Sequence, residues 1–511
     1  MSACGSRGVP LFFVFLALYA LTSSGNAFRV PDEFEVYFQA EHLVDAGDIS
    51  VPQTLAITQN GQPIFFGKIG LDGRPYAPYG PAVAVLIAPF HVAGRLIAGV
   101  AGVPRRPLPQ GIAWEFLVGG ITSLGMAFAA ALAVAGSFRA SRALGADDRR
   151  ALLVASLLGC ATMLWPYATT LYSEAWLAAA FVWAAALLLE ARHAGVERRS
   201  RVVVAAGLLA LAGMTKPTAL VIAPGFVIAA LLDPVVSARD RRRTAMALAT
   251  GIAIGALAQI GWNVERFGSP LDFGYNLGAM VLSSPARAFT LADVPRGLVV
   301  QLFAPGKSIF LWAPPILLSF AARRHAFARE RGIVAALLCS TIAALVFYAA
   351  FLYPEGGYAH GPRHLAPLVP LWLLPAALPG ARLRRPLVVA CAAVGIVTAL
   401  LAVSVSFLED QAPPQIDPLA SGPYYERITP PPGRPWNRYR LDYIPFVTAL
   451  SSGHWLDERR PPGNGPDFFA LHLARARRLM PGGAEIPRSL PWCLSVPWVV
   501  VMLWGARGLR R

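Results

Sequence analysis

Six carboxylates, Asp32, Glu33, Glu35, Glu41, Asp45 and Asp48, crowd the stretch FRVPDEFEVYFQAEHLVDAGD at residues 28–48, in a chain with 29 acidic residues among 511. Further along, short polar stretches between apolar runs carry Glu174 (ATTLYSEAW), Lys216 (MTKPTA), Glu265, Arg266 and Asp272 (NVERFGSPLDFGYN) and Lys307 (LFAPGKSIFLWAP). The stretch LYPEGGYAHGPRHLAP adds Glu355, Tyr358, His360, Arg363 and His364. A positioned carboxylate takes a proton from a hydroxyl or shares in holding a hard cation. Arginine grips an oxyanion through paired hydrogen bonds and lysine acts as a point charge. Each residue alone has a plainer use: first-turn carboxylates answer a helix dipole, basic residues at span ends anchor at the interface, and Gly356, Gly357 and Gly361 permit a turn. Both signs gathered on Gly/Pro-shaped loops of one membrane face point to a site.

The elements that must position these residues are membrane helices. The chain is 55% hydrophobic and 14% charged, and apolar runs recur from end to end, which is the composition of a polytopic all-α membrane protein. The runs cover about 9–27, 81–103, 111–138, 151–168, 175–191, 201–215, 218–232, 244–262, 308–322, 332–353, 364–379, 386–407 and 491–506. The net charge of +16 comes from arginines in the short loops FRASRALGADDRR, EARHAGVERRSR, SARDRRR, ARRHAFARERG and ARLRR and the terminal ARGLRR. That pattern reports orientation and excludes nucleic-acid binding. All six loops are expected on the cytoplasmic side.

With the N-terminus inside, the assignment holds if segment 81–103, which carries Pro81, Pro89, His91 and Arg95, is re-entrant or juxtamembrane; the runner-up has it crossing. The expectation is about twelve spans with both ends cytoplasmic, and residues 9–27 as an anchoring span rather than a cleaved signal. The outer segments are then 28–110, 263–307, 354–363 and 408–490, and all three lysines of the chain fall on that side. Three regions follow: a catalytic transmembrane region over 1–407, an outer cap or extended loop over 408–490, and a last span with a basic tail over 491–511. Cys4, Cys160, Cys339, Cys391 and Cys493 have no metal-type spacing and outline no disulfide framework. The preference for arginine over lysine, with abundant Ala, Gly and Pro, suits a high-GC bacterial source.

The order of features resembles the membrane-embedded glycosyltransferases of the GT-C superfamily, and in particular bacterial relatives of the dolichyl-phosphate-mannose protein mannosyltransferases. The resemblance rests on the acidic pair Asp32-Glu33 after the first span, the aromatic and proline-containing GRPYAPYGPAVAVLIAPF, and Glu174 after the third full span. It continues in AGMTKPTAL, NVERFGSPLDFGYN, LFAPGKSIFLWAP and GGYAHGPRHLAPLVP, covering about residues 9–379. Relatives often carry Asp where this chain has Glu174.

The resemblance implies a GT-C-like fold and a sugar donor linked through phosphate to a polyprenyl chain. It further implies transfer on the non-cytoplasmic face of a bacterial inner membrane, to an envelope glycan, lipid or protein. On that reading Asp32 is the base for the acceptor hydroxyl, and Glu33 and Glu174 orient it, bind sugar hydroxyls or hold a divalent cation; no cofactor is certain. Arg363, Lys307 and Lys216 are the expected phosphate cations. Arg74, Tyr76, Glu355, Tyr358, His360 and His364 are expected to shape the substrate pocket. The competing reading is a transporter or lipid flippase, which would place ionisable residues near mid-membrane on broken helices in repeated halves. Here the charges sit at span ends and no half-repeat is visible.

Overall fold

A computed structural model describes residues 7–23, 31–56, 58–59, 62–63, 67–106, 111–194, 197–275, 289–351, 353–357, 359–404, 415–416, 428–429, 468–479 and 482–510. Tyr358, and most of the expected outer cap over 408–490, lie outside the described residues. The chain is an all-α polytopic membrane protein. Among the described residues, seven helices are long and apolar enough to cross a membrane.

The helices are α1 (Gly8–Leu21), α2 (Pro31–Ala46), α3 (Pro81–Val100), α4 (Ile112–Ala143), α5 (Asp148–Cys160) and α6 (Leu164–Tyr167). Then come α7 (Glu174–Ala191), α8 (Arg198–Thr215), α9 (Ala219–Ile222), α10 (Pro224–Leu232), α11 (Ala238–Phe267), α12 (Val294–Phe303) and α13 (Ile309–Trp312). The last are α14 (Ile316–Arg329), α15 (Arg331–Ala349), α16 (Val369–Ala377), α17 (Arg385–Ser404), α18 (Phe469–Leu479) and α19 (Leu490–Arg510).

Each apolar run of the sequence is therefore one helix or a broken pair. The breaks follow proline: Pro224 separates α9 from α10, Pro314 and Pro315 separate α13 from α14, and a 3-10 turn over Arg363–Leu368, containing Pro367, leads into α16. A proline lacks the amide that would continue the ladder, and irregular backbone at membrane depth is tolerated where protein buries it.

Segment 81–103 is helical over most of its length. It forms α3, an unbroken helix of 20 residues that keeps Pro89 in its interior and qualifies by length and composition as a span. Val83, Ile87, His91, Gly94 and Ala98 face inward against α2 and α4, while Val85, Val92, Leu96 and Val100 are exposed. An apolar outer stripe is what a helix facing lipid carries.

The core forms where α4 packs on α1, α3, α5 and α7, and where α8 packs on α7 and α11. Small residues allow the close approaches. A Cβ on Gly251 would lie 2.3 Å from the Ala206 carbonyl oxygen, and one on Gly255 2.6 Å from that of Ala210, so these glycines set how closely α11 lies on α8.

The arginine loops collect at one end of this bundle. Arg192 bonds Asp233 at 2.7 Å and Glu330 at 2.9 Å, Arg139 pairs with Glu190, and Arg142 and Arg7 both reach Asp148. Arg150 donates to the carbonyls of Ala376 and Ala381, and His325 bonds that of Pro379. Since α7 and α8 each have 18 residues, Glu174 and Lys216 at their far ends stand about 27 Å away.

Candidate active site

At that far end, four segments meet. Asp32 and Glu33 occupy the first turn of α2, Glu174 opens α7, Lys216 follows the last residue of α8, and Arg363 begins the 3-10 turn before α16. The Arg363 guanidinium bonds Asp32 at 3.2 Å through Nη1, although 331 residues separate them. Its Nε stands 3.7 Å from a Glu174 oxygen that also accepts from Lys216 Nζ at 2.7 Å. Lys216 Nζ also lies 3.4 Å from His364 Nδ1.

Asp32 holds a second partner, the Tyr79 hydroxyl, which donates to its other oxygen. Burial first, and then the charge of Asp32, push the Tyr79 phenol well above its ordinary range, so it is a donor at any physiological pH. The ring of Tyr172 lies beneath the Arg363 guanidinium, 4.3 Å from its centre. His364 stacks on Tyr348 at 4.5 Å with the rings 9° apart, and the Tyr348 hydroxyl donates to Thr218 at 2.7 Å.

Successive helical residues point about 100° apart, and the two acids of the pair do different work. Asp32 is partly exposed in the cluster, whereas Glu33 is fully buried and accepts from the Leu171 amide at 3.2 Å. Glu33 thus fixes the turn before α7 from which Tyr172 and Glu174 project.

The loop before Arg363 is held by its own carbonyls. Lys307, buried, donates to Gly357 O at 3.2 Å and Ala359 O at 2.5 Å, and Tyr167 donates to His360 O at 2.6 Å. The Arg363 amide donates to Glu355 O at 3.1 Å. Gly356 and Gly361 have φ of 90° and 64°, a backbone region that favours glycine. A Cβ on Gly356 would sit 2.7 Å from Arg363 Cβ and 3.3 Å from its Nε. Beside this close approach are two buried nitrogens without hydrogen-bond partners among the described residues, Arg363 Nε and His364 Nε2. With Lys216 donating to Nδ1, the imidazole proton belongs on Nε2, so both nitrogens are donors.

Of the residues singled out in the sequence, the structure brings together Asp32, Glu174, Lys216, Arg363 and His364, with Glu33 behind them. Lys307, His360 and Glu355 shape the adjoining loop, where the His360 ring packs on Trp312 at 5.3 Å and Glu355 is fully buried. Arg74 and Tyr76 contact a different set. Arg74 reaches Asp48 at 2.6 Å, Tyr76 donates to Asp72 at 2.7 Å, and Tyr76 packs against Trp262 and Phe267 on α11. They belong to the hairpin pairing Lys68–Ile69 with Pro75–Tyr76. Tyr79, Tyr172, Tyr348 and Thr218 escaped the sequence reading. Tyr79 and Tyr172 lie inside quoted motifs, YAPYGP and LYSEAW, yet a tyrosine beside a carboxylate is too common to stand out. Among the described residues no three His, Cys, Asp or Glu side chains are placed to hold a metal ion, and Asp32 and Glu174 face Arg363 and Lys216. The set fits paired cations better than a bound divalent ion.

No protein-family model matches the chain, and no curated protein does. Among solved structures it is similar to ArnT from Cupriavidus metallidurans bound to undecaprenyl phosphate, at 14% identity and a TM-score of 0.48, covering 98% of this chain and 76% of that one. The apo state of ArnT gives 16% identity and a TM-score of 0.46 over 97% and 76%. The archaeal oligosaccharyltransferase AglB from Archaeoglobus fulgidus, in complex with an inhibitory peptide and a dolichol-phosphate, gives 13% identity and a TM-score of 0.41 over 93% of this chain and 58% of that one.

Proposed function

We propose that the chain is a GT-C-type membrane glycosyltransferase that moves a sugar from a polyprenyl-phosphate donor to an acceptor hydroxyl on the non-cytoplasmic face of a bacterial inner membrane. The observation that carries the reading is the meeting of Asp32 with Arg363 at one end of the bundle, next to two buried donors without hydrogen-bond partners among the described residues. The arginine loops at the other end give the orientation, since such loops stay in the cytoplasm.

The chemistry follows from the charges. The acceptor oxygen attacks the anomeric carbon, and its proton passes to Asp32. The bond from that carbon to the phosphate oxygen breaks with its electron pair, so the polyprenyl phosphate gains one negative charge. Arg363, with Lys216 behind Glu174, stands where that charge develops and offers Nε toward it; His364 Nε2–H is a second, uncharged donor. A phosphate leaves without a proton, so no second carboxylic acid is required, and direct displacement inverts the anomeric centre. Glu174 holds Lys216 and faces Arg363, keeping the cations aimed when no phosphate is present. Apolar α3 and the broken pair α13 and α14 offer the prenyl tail a path that stays in the bilayer.

The test is transfer of labelled sugar from a panel of polyprenyl-phosphate hexoses and pentoses to envelope acceptors by the purified protein in lipid. Label transferred from one donor with inversion supports the reading and names the sugar. Energy-dependent movement of glycolipid between leaflets, with no bond broken, would replace it with a flippase.

A further inference from the structure

At the arginine end, about 27 Å along α7 from Glu174, a second cavity has no part in the transfer chemistry. It lies between α7, α10, α15 and α16, and its walls are apolar, with Leu188, Phe226, Ala229, Ala336, Leu337 and Leu374 among them. Its volume is about 90 Å³, room for a few methylenes. Beside its lining residues Ala230, Asp233 and Val236, the apolar Leu231, Leu232 and Val235 are all exposed.

The cavity's rim is charged. Arg192 is balanced by Asp233 and Glu330. Arg198 is not: among the described residues its guanidinium reaches the Ala191 carbonyl at 3.4 Å and the Thr244 hydroxyl at 3.2 Å, both neutral oxygens. An apolar slot beside exposed apolar helix surface, with a cation at its mouth that has no carboxylate partner among the described residues, matches one class of molecule. We infer that this slot binds an anionic glycerophospholipid of the surrounding leaflet, with the first methylenes of one acyl chain in the slot and the phosphate at Arg198. Dry apolar cavities take apolar guests, and basic pockets between membrane helices take anionic headgroups.

Native mass spectrometry of the full chain, exchanged into phosphatidylglycerol, phosphatidylcholine or undecaprenyl phosphate, tests this. Wild type should retain one phosphatidylglycerol with about fivefold preference over phosphatidylcholine. Arg198→Gln should erase that preference, and Ala336→Leu, which fills the slot, should lose the lipid altogether at an unchanged unfolding midpoint. If Ala336→Leu does not fold, Arg198→Gln carries the test. Equal retention of the two phospholipids by wild type, a preference that survives Arg198→Gln, or displacement of phosphatidylglycerol by undecaprenyl phosphate would each overturn the assignment. None of these readouts depends on transferase activity, so the two proposals fail separately.

Discussion

Both ends of the helix bundle bury an arginine between two carboxylates, and the two sets are used differently. At one end Arg192 bonds Asp233 and Glu330 at 2.7 and 2.9 Å and ties the end of α7 to the end of α10 and the start of α15. At the other, Arg363 bonds Asp32 at 3.2 Å, stays 3.7 Å from Glu174, and leaves Nε without a hydrogen-bond partner among the described residues. The first set is saturated and the second is short of one acceptor. A buried, saturated ion pair holds structure, and a buried donor left over marks where a ligand's charge belongs.

Substitutions can break or sharpen that contrast. The largest effect is expected from Asp32→Asn, which removes the base and keeps the shape. Transfer should fall by about 10²- to 10⁴-fold, with unchanged thermal unfolding showing that the protein is folded. Next comes Arg192→Gln at the saturated end, which strands Asp233 and Glu330. It should cost roughly 3–5 kcal/mol of stability, read as a lowered unfolding midpoint, while turnover per folded molecule stays near wild type. Arg363→Lys keeps the charge but loses the planar fork, and turnover should drop by about 10²-fold or more with stability little changed. Tyr79→Phe takes one donor from Asp32 and should slow transfer by about tenfold. The smallest effect is expected from Lys68→Ala. Its partner Asp272 lies 2.5 Å away but the pair is exposed, so stability should move by under about 1 kcal/mol and turnover not at all. Equal loss of activity from Arg192→Gln and Arg363→Lys would erase the distinction between the ends.

Much of the fold was legible in the sequence because a membrane leaves few choices. Every apolar run is a helix or a helix broken near proline, and the arginine-rich loops come together at one end as their composition implied. Segment 81–103 follows the same rule. Pro89 sits inside an unbroken α3, and Arg95 extends from it to pair with Asp45.

The cluster was legible in part. Asp32, Glu174, Lys216, Arg363 and His364 stood out as charged or ionisable residues at span ends, a costly placement that draws the eye. What separates Asp32 from Glu33 is helical phase and the position of the Leu171 amide, 138 residues away, and no local pattern encodes that. Lys307 looked like a phosphate ligand for the same reason as Lys216, whereas its ammonium spans two carbonyls of the glycine loop. Arg74 and Tyr76 were chosen from a motif whose other aromatic, Tyr79, is the one that reaches Asp32.

One paired measurement bears most directly on the carboxylate end. Wild type and Asp32→Asn would be reconstituted in lipid with the same polyprenyl-phosphate sugar, and donor retention and single-turnover transfer followed together. Donor retained by both proteins, with label transferred only by wild type, is the expected result and makes Asp32 the base beside an intact phosphate site. Full transfer by Asp32→Asn would contradict it and leave the meeting of Asp32 and Arg363 a structural contact like the one at Arg192.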